Sequence, residues 1–129
     1  MSAALVVLGA TGSIGTQTLE VADSLGFEVV VLAARRPSPK LAELGRRYPD
    51  AEVVVAGGSS DERSQLALEI GRNPTHGAEA IIEAAGAKDR LVVNGIVGAA
   101  GLRATVAALL AGNRVALANK ESLVSGALW

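Results

Sequence analysis

The sequence predicts an α/β chain, doubly wound around a mainly parallel sheet. Three observations carry that expectation. Short aliphatic runs alternate with stretches of helical periodicity, giving strands over residues 5–8, 28–33, 53–56, 91–96 and 115–118. Half of the residues are hydrophobic, yet Phe27, Tyr48 and Trp129 are the only aromatic ones. The core is therefore aliphatic, which suits a parallel sheet buried on both faces. Finally, the first strand runs straight into Gly9, Gly12 and Gly15, and helical spacing begins there. A chain of 129 residues is of the size of one domain.

That first strand–turn–helix unit is the centre of the functional reading. Ile14, Thr18, Val21, Ala22 and Leu25 recur at helical spacing, and Gly26 closes the segment. A helix N-terminus offers unpaired N–H groups and the positive end of the helix dipole. Glycines before it let an anion approach the backbone. Thr11 and Ser13 add hydroxyl donors. The spacing is G-x-x-G-x-x-G, and a strand before and a helix after it supply the context of a dinucleotide pyrophosphate site. The fold expected is thus Rossmann-like.

The second strand ends in Ala33-Ala34-Arg35-Arg36. An NAD site places an acidic residue here, about 20 residues past the glycine turn, to bind the ribose hydroxyls. Two guanidinium groups suit a 2′-phosphate instead. Arg35 and Arg36 therefore point to NADP(H).

Ser38 caps the next helix with Pro39 at its first position, and Leu41, Leu44 and Tyr48 mark its buried face. After the third strand, Ser60 is expected to cap a helix over 61–70. Residues 71–75 break that helix. His76 is the only histidine, beside a glycine, and reads as exposed. A helix over about 77–85 follows.

The fourth of the predicted strands ends near Gly95, Gly98 and Gly101. These glycines serve close helix–strand packing, proximity to a cofactor, or both. Leu102, Val106 and Leu109 are expected on the inner face of the following helix, closed by Gly112-Asn113. The last strand delivers Asn119, Lys120, Glu121 and Ser122 to the edge where open sheets bind ligands. Asn119 can equally be a helix cap followed by two solvated charges.

Composition excludes several classes. Twelve basic and thirteen acidic residues leave a net charge of −1, without the basic excess of a nucleic-acid binder. There is no cysteine, hence no disulfide or thiol chemistry. The chain enters its first strand directly, with no expected signal peptide, and its apolar runs are too short for a bilayer. A cytoplasmic location without membrane contact is the expectation.

Three motifs together resemble the 1-deoxy-D-xylulose 5-phosphate reductoisomerase family. They are Gly9-Ala10-Thr11-Gly12-Ser13-Ile14-Gly15, the run from Val93 to Leu102, and Leu117-Ala118-Asn119-Lys120-Glu121-Ser122-Leu123-Val124. The first is shared by many dehydrogenases. The second and third, in this order and spacing, are specific. The resemblance implies an NADPH-dependent enzyme of non-mevalonate isoprenoid biosynthesis. Such enzymes rearrange and reduce 1-deoxy-D-xylulose 5-phosphate to 2-C-methyl-D-erythritol 4-phosphate with Mg or Mn. It further implies that Thr11, Gly12, Ser13 and Ile14 hold the pyrophosphate, and that Arg36 meets the 2′-phosphate. By the same likeness Asn119 and Glu121 touch the cofactor and Lys120 touches the phosphorylated sugar substrate. Family members are usually homodimers.

Three departures stand beside that likeness. Arg35-Arg36-Pro37 replaces the family's Gly-Lys-Asn or Gly-Arg-Asn. The stretch between Ile70 and Gly77 looks abridged, where the family has room for another short strand. The family's Asp-Ser-Glu-His metal motif is not reached before Trp129. The expectation is that residues 1–129 form the NADP(H)-binding domain, without catalytic residues, metal ligands or the catalytic and C-terminal domains, and are inactive alone. Glu43, Asp61 and Glu62 fall on exposed helix faces and make no substitute metal site. The competing expectation is a stand-alone, non-catalytic dinucleotide-binding module.

Overall fold

The computed structural model describes residues 4–96 and 98–117. Six strands alternate with five helices among them. They run β1 (Ala4–Leu8), α1 (Ser13–Leu25), β2 (Glu28–Ala34), α2 (Pro39–Arg47), β3 (Glu52–Val55) and α3 (Ser60–Ile70). The order continues with β4 (Thr75–His76), α4 (Ala78–Gly86), β5 (Arg90–Asn94), α5 (Gly98–Leu110) and β6 (Arg114–Leu117).

The six strands form one sheet in the order β4-β3-β2-β1-β5-β6, and every described pairing is parallel. The chain starts in the middle. It winds outward through β2, β3 and β4, then returns past β1 to build β5 and β6. Helices α1, α2 and α3 lie on one face and α4 and α5 on the other. Alternate side chains of the strands record this. Leu5, Val7, Leu32 and Val93 pack with Leu19 and Ala22 of α1 and Leu44 of α2. Their neighbours Val6, Leu8, Val31, Ala33 and Val92 pack with Ile81, Ala84 and Ala85 of α4 and Ala104 and Ala108 of α5. A third cluster joins Val53 and Val55 to Leu41 of α2 and to Leu66 and Ile70 of α3. The inner strands β1, β2, β3 and β5 are thus buried on both faces, as their near-continuous Val/Leu composition requires. Each fully buried Val or Leu contributes about 1.5–3 kcal/mol.

The local signals act as their chemistry dictates. Gly26 ends α1 at φ 75°, a left-handed C-cap, and its N–H donates to Ala22 O. Ser38 Oγ accepts from Leu41 N–H at 3.1 Å, with Pro39 beginning α2. Phe27 lies half-buried against the cluster that holds Leu19 and Ala22.

Four expectations are corrected. The cap of α3 is Ser59, not Ser60, because Glu62 then falls at the third helical position and closes a capping box. A short strand does exist between α3 and α4: Thr75 and His76 pair with Val54 and Val55. On α1 the core face is Gly15, Leu19 and Ala22, while Val21 and Leu25 are 55% and 67% exposed. On α5 the core face is Gly101, Ala104 and Ala108, and Leu102, Val106 and Leu109 point outward. In each helix a glycine, Gly15 or Gly101, marks the closest approach to the backbone beneath it, where a larger side chain has no room.

Candidate dinucleotide site

β1 is the switch point of the sheet, with β2 on one side and β5 on the other. Open α/β sheets bind ligands at the C-terminal ends of the strands there. Leu8 ends β1 with its side chain buried, and the turn of residues 9–12 follows. Both neighbours hold that turn. Gly9 and Ala10 each donate an N–H to Ala33 O of β2 at 2.9 Å, and Gly95 N–H donates to Leu8 O at 2.8 Å. Gly9 adopts φ 82°, and a Cβ there would lie 3.2 Å from the Gly95 carbonyl carbon. The two loops that flank the crevice therefore meet through glycine backbone.

The turn feeds α1 without a side-chain cap. Gly12 is the N-cap, extended at φ −75° and ψ 170°, and no side chain accepts the helix's first N–H groups. Those groups have no partner inside the helix either. Gly12 and Ser13 are exposed, Thr11 and Ile14 half-buried and Gly15 buried. Gly15 has a different role from Gly12: a Cβ on it would fall 2.4 Å from Gly9 O, against 3.5 Å for one on Gly12. Gly15 permits the helix to seat under the turn, and Gly12 leaves the outer approach open. This arrangement accepts an anion of pyrophosphate type.

At the neighbouring strand end, Arg35 and Arg36 emerge from β2 and are exposed. The loop after β3 lies beside them, with Gly57 N–H donating to Arg35 O at 2.8 Å. Glu62 sits at the start of α3. Its carboxyl is held below the usual range, first by the Ser59 backbone and side chain of the capping box, and also by the charges of Arg36 and Arg63.

Across the crevice, the end of β5 is stapled to α5 by Asn94, which is 2% exposed. Its Nδ2 donates to Gly101 O and to Thr105 Oγ1, both at 2.8 Å, and its Oδ1 accepts from Ile96 N–H at 3.0 Å. Gly101 is a packing glycine, since a Cβ would sit 2.0 Å from Ile96 O. The sequence concealed Asn94 inside an aliphatic run. Its signal was that a lone amide in a buried strand must find partners for all its polar atoms.

Asn119, Lys120 and Glu121 lie outside the described residues. His76 is exposed at the end of the edge strand β4. Among the described residues, no group of three or more His, Cys, Asp or Glu side chains is placed to hold a metal, and no helix is long and apolar enough to cross a membrane.

The family model for 1-deoxy-D-xylulose 5-phosphate reductoisomerase matches residues 5–127. The enzyme of that name from Halothermothrix orenii is 40% identical over 134 residues, covering 98% of this chain and 34% of the relative. That from Ralstonia nicotianae is 48% identical over 132 residues, covering 97% and 34%. Among solved structures, the reductoisomerase from Zymomonas mobilis in complex with NADPH superposes with a TM-score of 0.81 at 37% identity, covering 97% of this chain and 34% of that one. A reductoisomerase in complex with NADPH, fosmidomycin and magnesium gives 0.78 at 36% identity, covering 95% and 31%. The chain spans about a third of the length of these relatives.

Proposed function

Because the chain belongs to the 1-deoxy-D-xylulose 5-phosphate reductoisomerase family, we propose that residues 1–129 form the NADPH-binding domain of such an enzyme. The observation that carries this reading is the uncapped N-terminus of α1, set at the switch point of the sheet under a turn that only glycine can build. The residues present fit the dinucleotide. Gly9 and Gly15 shape the turn. Thr11, Gly12, Ser13 and Ile14 offer N–H groups and hydroxyls to the pyrophosphate. Arg35 and Arg36 meet the 2′-phosphate, where an acidic residue would repel it. Asn119 and Glu121 orient the rest of the cofactor, and Lys120 holds the sugar phosphate.

The dinucleotide supplies a hydride when bound. This chain's part is to bind it, fix its orientation and present its nicotinamide end along the crevice between β1 and β5. The activity served is conversion of 1-deoxy-D-xylulose 5-phosphate to 2-C-methyl-D-erythritol 4-phosphate in isoprenoid biosynthesis. The enzyme works in the cytoplasm as a homodimer, with Mg or Mn and without nucleic-acid or membrane partners. The described residues do not fit a metal site.

Calorimetric titration of the chain with NADPH and NADH tests the proposal. NADPH is expected to bind more tightly, and replacing Arg35 and Arg36 together by Ala to remove most of the difference. Each charge-assisted contact is worth about 1.5–3 kcal/mol. Equal affinity of the unmodified chain for both nucleotides overturns the cofactor assignment.

A further inference from the structure

The loop between β3 and α3 is built onto the loop that carries the two arginines. The β2–β3 ladder continues past the strands: Ala56 N–H donates to Ala34 O at 3.0 Å and Gly57 N–H to Arg35 O at 2.8 Å. Gly58 then turns at φ 102° and presses on Pro37, the residue after Arg36. A Cβ on Gly58 would lie 2.6 Å from Pro37 Cδ. The loop is fixed from the helix side as well. Arg63 Nη1 donates to Gly58 O at 2.6 Å. Ser59 N–H donates to Glu62 Oε1 at 2.8 Å, and Glu62 N–H to Ser59 Oγ at 3.1 Å. Arg36 and Pro37 are thus backed by a loop that α3 holds in place.

We propose that Arg63 is a positioning residue for recognition of the 2′-phosphate: through Gly58 it holds the β3–α3 loop against Pro37 and so fixes the backbone from which Arg35 and Arg36 reach the phosphate. This deepens the cofactor reading and rests on it. Arg63 acts through the other two arginines, since its guanidinium is engaged with the Gly58 carbonyl and half-buried. An arginine on a fixed backbone loses less freedom on binding than one on a mobile loop, and that difference appears as affinity. Only the ligand that bears a 2′-phosphate feels it.

The test is the ratio of NADPH to NADH affinity in the 129-residue chain, with thermal unfolding measured alongside. Arg63→Ala is expected to weaken NADPH by roughly three- to tenfold while leaving NADH within about twofold. Arg63→Lys, which still donates to the Gly58 carbonyl, restores part of the loss. Gly58→Ala, strained and forced against Pro37, lowers the ratio by an independent route. In an Arg35→Ala/Arg36→Ala background, Arg63→Ala has no further effect. Equal weakening of both nucleotides by Arg63→Ala overturns the proposal in favour of a structural role. A further loss of NADPH affinity in the double-Ala background overturns it in favour of direct contact. If the double-Ala variant itself keeps the NADPH preference, the underlying assignment of Arg35 and Arg36 fails instead.

Discussion

The Cα of Gly15 packs so closely against the carbonyl of Gly9 that a methyl group on it would sit 2.4 Å from that oxygen and 2.8 Å from Ala10. Both contacts are with backbone, which cannot rotate away. Gly15→Ala is therefore expected to push the turn off α1 and destabilise the fold by about 1–3 kcal/mol, the usual cost of overpacking. Gly12→Ala offers the contrast. Its Cβ meets Gly9 O at an ordinary 3.5 Å and otherwise faces outward. The fold should tolerate it, while the methyl group intrudes on the pyrophosphate. Melting curves and NADPH titrations of the two variants separate the roles: Gly15→Ala lowers the Tm, and Gly12→Ala lowers affinity at nearly unchanged Tm.

Arg72 makes five hydrogen bonds, to the carbonyls of Gly45, Tyr48, Ala51 and Ile70. These carbonyls cluster at the C-terminal end of α2, the entrance to β3 and the end of α3. One planar guanidinium joins three chain segments that would otherwise leave carbonyls partly buried and unpaired. Arg72→Ala is expected to cost about 3 kcal/mol, the order of one or two orphaned acceptors. Arg72→Lys recovers only part, since an ammonium lacks the fork. Chemical denaturation of the three proteins measures this. A loss below about 0.5 kcal/mol for Arg72→Ala contradicts the account.

Much of this architecture was legible in the sequence, for reasons that differ between elements. Strands β1, β2, β3 and β5 announced themselves because a strand buried on both faces must be aliphatic throughout. The α1 turn was legible because three glycines between a strand and a helix have few other uses. The inner face of α5 was not. Hydrophobicity ranks Leu102, Val106 and Leu109 above Ala104 and Ala108, yet α5 approaches the Ile96 carbonyl so closely that only Gly101 fits. Distance, which the sequence does not record, decided the face. Strand β4 was missed because two residues have no periodicity; it exists through its ladder to Val54 and Val55. At the proposed site, the glycines and Arg35–Arg36 are expected from type and spacing, and they lie at the ends of β1 and β2. Arg63 and the Gly58–Pro37 contact depend on two loops meeting that are far apart in sequence. The expected contribution of Asn119, Lys120 and Glu121 falls outside the described residues.

Tyr48 reports on the junction of α1 and α2. Its hydroxyl donates to Asp23 Oδ1 at 2.8 Å, and Asp23 also pairs with Arg47. Burial, and then the hydrogen bond to Asp23, push the phenol up to about 12 from 10.0. A group whose folded-state pKa is raised holds its proton more tightly when folded. Its contribution to stability is therefore complete below pH 10 and lost between about pH 10 and 12. Because Tyr48 is the only tyrosine, phenolate absorbance during an alkaline titration follows it alone. A midpoint near 12 is expected for the folded chain, moving toward 10 in Asp23→Asn. An unshifted midpoint in the unmodified protein contradicts the hydrogen bond.

The last prediction concerns turnover. On the proposed reading the glycine turn and the two arginines hold NADPH, but holding a hydride donor is not transferring the hydride. Rearrangement of a phosphorylated ketose develops enediolate-like charge on adjacent oxygens, and stabilising that charge with Mg or Mn takes several oxygen ligands held together. Among the described residues no group of three or more acidic or histidine side chains is so placed. Glu43, Asp61 and Glu62 are all exposed on helices, and Glu62 is engaged with Ser59. Hydride transfer also needs water excluded, commonly by a closing lid. The 129-residue chain with NADPH, Mg²⁺ and 1-deoxy-D-xylulose 5-phosphate is therefore expected to show no loss of nicotinamide absorbance above background, under conditions where a full-length relative consumes NADPH. Binding of NADPH in the same sample, measured by calorimetry, keeps failure to fold distinct from failure to react. Clear turnover places an unrecognised metal site in these 129 residues or in a second copy of the chain.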